Sequence, residues 1–166
     1  MFHIIVILLV VLSSIKWGTW SRWREFLPTI YYFAFFNMFY QYISFSIKPV
    51  WELKNFFVNM FLTDTIYTMI AYPALVVLFL SHFPQDKRSI IFYYVKYIGI
   101  SIIIEWLASK FHSIEYFEGW NLKWTILFYS IMYPLLQLHH RKPAHAIVLS
   151  LFIVAFYFFS FDYHVH

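Results

Sequence analysis

Apolar residues in this chain come in long runs parted by short polar turns, and the length of the runs carries the first structural reading. A helix rises 1.5 Å per residue and the hydrocarbon core of a bilayer is roughly 30 Å thick, so a crossing takes about 20 mostly apolar residues. Six stretches approach or exceed that length, at about 2–20, 27–47, 62–83, 89–108, 124–138 and 144–161. Only helices and closed barrels satisfy their backbone groups inside hydrocarbon, so runs this long predict helices. The expected fold is all-α, a polytopic transmembrane helical bundle of about six spans forming one integral membrane domain over residues 1–166. The first run is strongly apolar only to Ile15 and reaches spanning length by continuing past Lys16, whose ammonium would snorkel to the headgroups. If that segment lies on the surface instead, five spans remain.

Prolines and loop patterns refine this picture. Pro28 falls in the first turn of the second run, where a missing N–H costs nothing. Pro73 and Pro134 fall in mid-run and predict kinks in the third and fifth helices. Between the second and third runs, Val50, Leu53, Phe57, Met60 and Phe61 recur at helical spacing opposite Glu52, Asn55 and Asn59, the pattern of a short amphipathic interfacial helix near 50–61. The stretch from Lys110 to Glu118 reads as an extension of the fourth helix that stops at Gly119. A short internal echo places Ile70, Tyr72, Pro73 and Leu75 against Ile131, Tyr133, Pro134 and Leu136, an arrangement that parallel repeats of transporters would produce.

Composition agrees with the run lengths. The chain is 62% hydrophobic and 12% charged, whereas globular domains are roughly a quarter charged. Trp17, Trp20 and Trp23 sit beside basic residues, as aromatic side chains do at a membrane interface. The net charge of +4 is spread over all the connecting loops rather than gathered on one face, so it points to anionic lipid and topology and not to nucleic acid. The loops after the first, third and fifth runs hold seven Lys and Arg, against four in the other two. Positive loops stay cytoplasmic, which places both termini outside a cell membrane crossed several times. The first run lacks a basic n-region and a small-x-small site, so it reads as an uncleaved segment. With no Cys, disulfides, thiolate metal sites and thiol nucleophiles are excluded.

Candidate chemistry rests on the polar residues inside or beside the apolar runs, because charges there cost several kcal/mol and usually face a bundle interior or a wet cavity. Asp64 opens the third run and Glu105 closes the fourth, so antiparallel packing would bring both carboxylates to one depth near the outer face, where they would share a proton or hold a cation. His112 and Glu115 follow Glu105 on the same face if the fourth helix continues, which makes Glu105, His112 and Glu115 a candidate metal set and Asp64, Glu105 and His112 a candidate acid and histidine set. Against this stands the plainer reading that both carboxylates cap, snorkel or pair with Lys110 or Lys123. Lys96 lies about 10 Å inside its run, and nine residues from Glu105 it points to the opposite side of the helix. Asn37 and Gln41 share one face of the second helix and are placed to bond across to a neighbour, commonly as packing contacts worth about 1 kcal/mol. His139, His140 and His145 cluster near a basic turn without the i, i+4 spacing of paired metal ligands. No phosphate-binding or nucleophile-elbow motif is present.

The ordered elements Leu27-Pro28-Thr29, Asn37 with Tyr40, Tyr72-Pro73, Glu105-Trp106, Gly119-Trp120-Asn121, Ile126-Leu127-Phe128 and Leu138-His139-His140-Arg141-Lys142-Pro143 carry a resemblance. In them the chain resembles a family of small uncharacterised multi-pass membrane proteins of Gram-positive, endospore-forming bacteria. The resemblance implies a bacterial plasma membrane and no particular activity. The expected function is a non-enzymatic transporter-like, sensory or accessory role, with membrane lipids and a protein partner or second copy as the expected contacts and no cofactor. The alternative is a small membrane enzyme acting on a lipid or peptide through the acidic and histidine residues.

Overall fold

The computed structural model describes residues 2–54 and 60–162, with Met60 described in its backbone only. Helix makes up 81% of the chain. The elements are α1 (Phe2–Trp17), a 3-10 turn (Trp20–Arg22), α2 (Trp23–Ser46), β1 (Trp51–Leu53), α3 (Met60–Ile66), a π-helical turn (Tyr67–Ala71), α4 (Tyr72–Ser81), α5 (Lys87–Lys110), β2 (Ile114–Tyr116), α6 (Leu122–Arg141) and α7 (Pro143–Ser160). The all-α expectation holds, with one short two-stranded sheet added to it.

Helices α2, α4 and α6 form the interior: α4 packs on α2, and α6 packs on α2, α5 and α7. Their meeting point is aromatic. Phe79 of α4 lies with its ring centroid 4.9 Å from Tyr133 of α6 and 5.1 Å from Tyr97 of α5, and Phe26, Val76, Val77 and Leu136 close the same cluster. Helices α1, α5 and α7 lie outside this core and expose large apolar side chains such as Leu8, Leu12, Phe92, Ile103, Phe152 and Phe159.

Three helical runs among the described residues are individually long and apolar enough to cross a membrane, Phe61–Ser81, Lys87–Lys110 and Pro143–Ser160. Phe2–Trp17 and Trp20–Ser46 pass only as a pair, and their axes meet at 90°. The expected six is not reached on length and composition alone. Helix α1 has 16 residues, short of a full crossing, while α2 and α6 have the length but are diluted by tyrosines, by Asn37 and Gln41, and by Gln137, His139 and His140.

The prolines behave differently from one another. Pro28 lies inside α2, because the helix begins at Trp23 rather than near Leu27, and its missing N–H falls in the helix interior. Pro73 stands at the start of α4 directly after the π-helical turn, so the chain absorbs the lost hydrogen bond by widening one turn. Pro134 sits in an unbroken α6. The two Tyr-Pro copies of the internal echo thus adopt unlike backbones.

Two loop readings are corrected. Val50–Leu53 does not open an interfacial helix: Trp51, Glu52 and Leu53 form β1 and pair antiparallel with Tyr116, Glu115 and Ile114. The remainder of that expected helix at 55–59 lies outside the described residues. The Tyr40 hydroxyl fixes the strand, accepting from Trp51 N at 3.0 Å and donating to Trp51 O at 2.6 Å. Helix α5 does not continue to Glu118. It ends in a Schellman motif, in which His112 turns left-handed at φ 52° and Ser113 N and His112 N reach back to Ala108 O and Ser109 O at 2.8 and 3.1 Å. Histidine thus occupies the place that glycine usually fills.

Gly18 joins α1 to the turn where α1 meets α4. A Cβ there would stand 2.4 Å from Ser14 O and 3.1 Å from Val77 Cγ1, whereas one at Gly99 would meet nothing within 4 Å. Gly18→Ala is therefore expected to cost about 1–3 kcal/mol through forced displacement. Gly99→Ala should leave the thermal midpoint unchanged or raised, since alanine is the better helix former. Equal midpoints for the two variants in detergent would contradict the close α1–α4 approach.

Candidate functional site

Between α1, which packs on α4, and α5, which packs on α6, lies a cleft of about 1100 Å³. Ligand pockets commonly enclose about 300–1,000 Å³, so this one is large enough for a lipid-sized molecule. Its walls are mainly aromatic and aliphatic, with Tyr72, Tyr97, Tyr129, Tyr133, Phe128 and Ile104 among them. Lys16, Trp17 and His82 line one end, and His3, Trp51, Glu105 and Trp120 line the end beside the sheet.

Glu105 is the organised polar group of this cleft. Its Oε1 accepts from Thr125 Oγ1 at 2.6 Å and from the Tyr116 hydroxyl at 2.9 Å, and its Oε2 accepts from the Tyr129 hydroxyl at 2.8 Å. Three elements converge here for sequence reasons. Thr125 and Tyr129 are four apart on α6 and share a face, α6 is started by Asn121, whose side chain accepts from Lys123 N at 3.0 Å, and the Schellman turn swings β2 back so that Tyr116 points at α5. Burial and the Glu105 charge together push the Tyr116 phenol above its ordinary range, which keeps it a hydroxyl donor.

The other predicted residues fall in several places. Asp64 is buried at 9% exposure in the second half of α3 and is not part of the cleft wall that holds Glu105. His112 is exposed at the α5 turn, and Glu115 pairs with Lys54 at 2.6 Å on the sheet. The candidate metal set of Glu105, His112 and Glu115 therefore loses its premise, because the helix that was to align the three stops before two of them. Of the acid and histidine set of Asp64, Glu105 and His112, only Glu105 lines the cleft. Among the described residues no group of three or more His, Asp or Glu gathers to hold a metal ion.

Lys96 lines the cleft as Glu105 does, with Nζ 5.6 Å from the Tyr97 ring centroid. The cleft wraps around α5 far enough to reach both, and they stand about 13 Å apart along the helix axis. Asn37 and Gln41 both donate to Thr68 Oγ1 of the π-helical turn, at 2.6 and 3.4 Å. Thr68 in turn donates to Asp64 O at 2.8 Å, so the two amides hold the widened turn in place. Of the histidine cluster, His139 is buried against Thr29 at 3.1 Å and stacked on Tyr32, His140 lies against Phe26, and His145 is exposed.

Several partners were not singled out from the sequence: Tyr116, Thr125, Tyr129 and Thr68, and also His3, whose Nδ1 meets the Tyr67 hydroxyl at 3.1 Å. The usable signal was the hydroxyl itself, since tyrosines and threonines in apolar helices need a bonding partner. Compared with protein-family models, with curated proteins and with solved structures, the chain matches none.

Across the sheet, Glu52 stands opposite Glu115. Burial and, next, the Glu115 charge raise the Glu52 carboxyl above its ordinary range, against the opposing pull of Lys54. A raised carboxyl pKa stabilises the fold only while the group is protonated. The contribution is present below the unfolded-state value and is lost as pH rises towards the folded-state one. Glu52→Gln should therefore melt above wild type at about pH 7 and level with it at about pH 4. A gap between the two proteins that does not change with pH would contradict this.

Proposed function

We propose that the chain is a multi-pass membrane protein of non-enzymatic, transporter-like, sensory or accessory character, in which the cleft between α1 and α5 admits an amphipathic membrane molecule. The carrying observation is the cleft, with its aromatic walls and its polar groups at the two ends. Exposed apolar side chains along α1, α5 and α7 support the membrane reading, because soluble proteins seldom expose contiguous apolar patches beyond a few hundred Å².

The ends of the bundle differ in charge. Ring contacts of His140 with Phe26 and of Arg141 with Phe83, and the bond from Thr19 N to Ser81 Oγ, bring the three basic turns to one end. At the sheet end Lys48 and Lys54 are paired with Glu118 and Glu115. This polarity supports a cytoplasmic basic end and a sheet at the outer face. The enzymatic alternative has less to stand on, since its histidine, His112, is exposed at the α5 turn outside the cleft lining and Glu105 is already engaged by three hydroxyls.

A chain without cysteine permits a direct test. Single cysteines at Ser21, Gln85 or Lys142 should react with a membrane-impermeant maleimide only after the cells are opened, and a cysteine at Lys123 should react in intact cells. Equal labelling of all four in intact cells would overturn the proposal.

A further inference from the structure

We infer that the Glu105 end of the cleft binds the organic ammonium group of an amphiphile whose apolar chain lies along the cleft. The inference rests on the proposed cleft function and names the head group it selects. Glu105 forms no ion pair with Lys or Arg among the described residues, unlike Glu25, Glu115 and Glu118. A carboxylate beside hydrocarbon without a counter-cation is costly, and such groups are normally paired. Three hydroxyls supply part of the compensation, two on Oε1 and one on Oε2. A carboxylate has about four acceptor positions, so one on Oε2 remains open.

The surroundings of that position favour an organic cation over a metal ion. Hard divalent ions require several oxygen ligands, and no second acidic or histidine cluster completes such a set among the described residues. The cleft instead has Tyr129, which bonds the carboxylate, and Tyr72 and Phe128 in its lining, and ring faces attract ammonium groups, most of all when these are desolvated. Lys96 and Lys16 line the cleft away from this end. They repel a cation there, so the charge pattern also sets the direction in which the amphiphile lies.

The test is native mass spectrometry of the full chain in a mild non-ionic detergent, titrated separately with dodecylamine, dodecanol and laurate. Wild type should bind one dodecylamine at least about tenfold more tightly than dodecanol, with laurate weakest, a factor worth about 1.4 kcal/mol. Glu105→Gln should abolish that preference while dodecanol binding persists. Should Glu105→Gln fail to fold, Ser101→Lys serves instead: it lies one turn before Glu105 on the cleft wall, and its tethered ammonium occupies the site, bringing dodecylamine to the dodecanol level or below. Equal binding of all three probes by wild type overturns the ammonium site and leaves the cleft reading standing. No binding of any probe overturns both. A preference for dodecylamine that survives in either folded variant overturns the ammonium site.

Discussion

Glu105 is held by hydroxyls from β2 and α6, so that one carboxylate ties α5 to both of the elements it packs against. Helix α5 packs on α6, on the short strand following its own end and, through Tyr93 and Tyr97, on the end of α4, and elsewhere exposes apolar side chains. A helix attached along one face is placed by the few polar contacts that fix its rotation and depth, since apolar contact alone favours no particular setting. The carboxylate supplies such a contact. It fixes where α5 stands relative to α6, and hence how far α5 stands from α1.

The separation of α1 and α5 is what leaves a cleft rather than a packed core. On the α1 side, the near-contact at Gly18 and the bond from Thr19 N to Ser81 Oγ at 2.8 Å hold the helix to α4. On the α5 side, Tyr93 donates to Phe79 O at 2.9 Å and Tyr97 to Leu78 O at 3.2 Å, where α4 approaches its end. Both outer helices are thus tied to the core by hydroxyl and backbone groups at defined depths. Tyr97 and Tyr133 line the cleft between them and rest on the fully buried Phe79.

Much of the fold was legible because run length and apolarity speak directly to helices, and each of the six long apolar runs has a helix in it. What the sequence concealed lies where local signals mislead. Val50, Leu53 and Glu52 have helical spacing, yet the tertiary contact with Tyr40 and β2 makes that segment a strand. His112 ends α5 in a conformation usually reserved for glycine, so nothing in the local residues announced the stop, and the supposed alignment of Glu105 with His112 and Glu115 went with it. Glu105 itself was legible as a costly charge in an apolar run. Its partners were not, because tyrosine and threonine hydroxyls look alike all along the chain until the packing selects three of them.

The most direct measurement is a cryo-electron microscopy structure of the full chain in lipid nanodiscs with a rigid antibody fragment attached. Helices α1 and α5 should stand apart in the nanodisc, with elongated density in the cleft reaching Glu105. Helices α1 and α5 packed directly on each other, with Glu105 enclosed and no cleft between them, would contradict it.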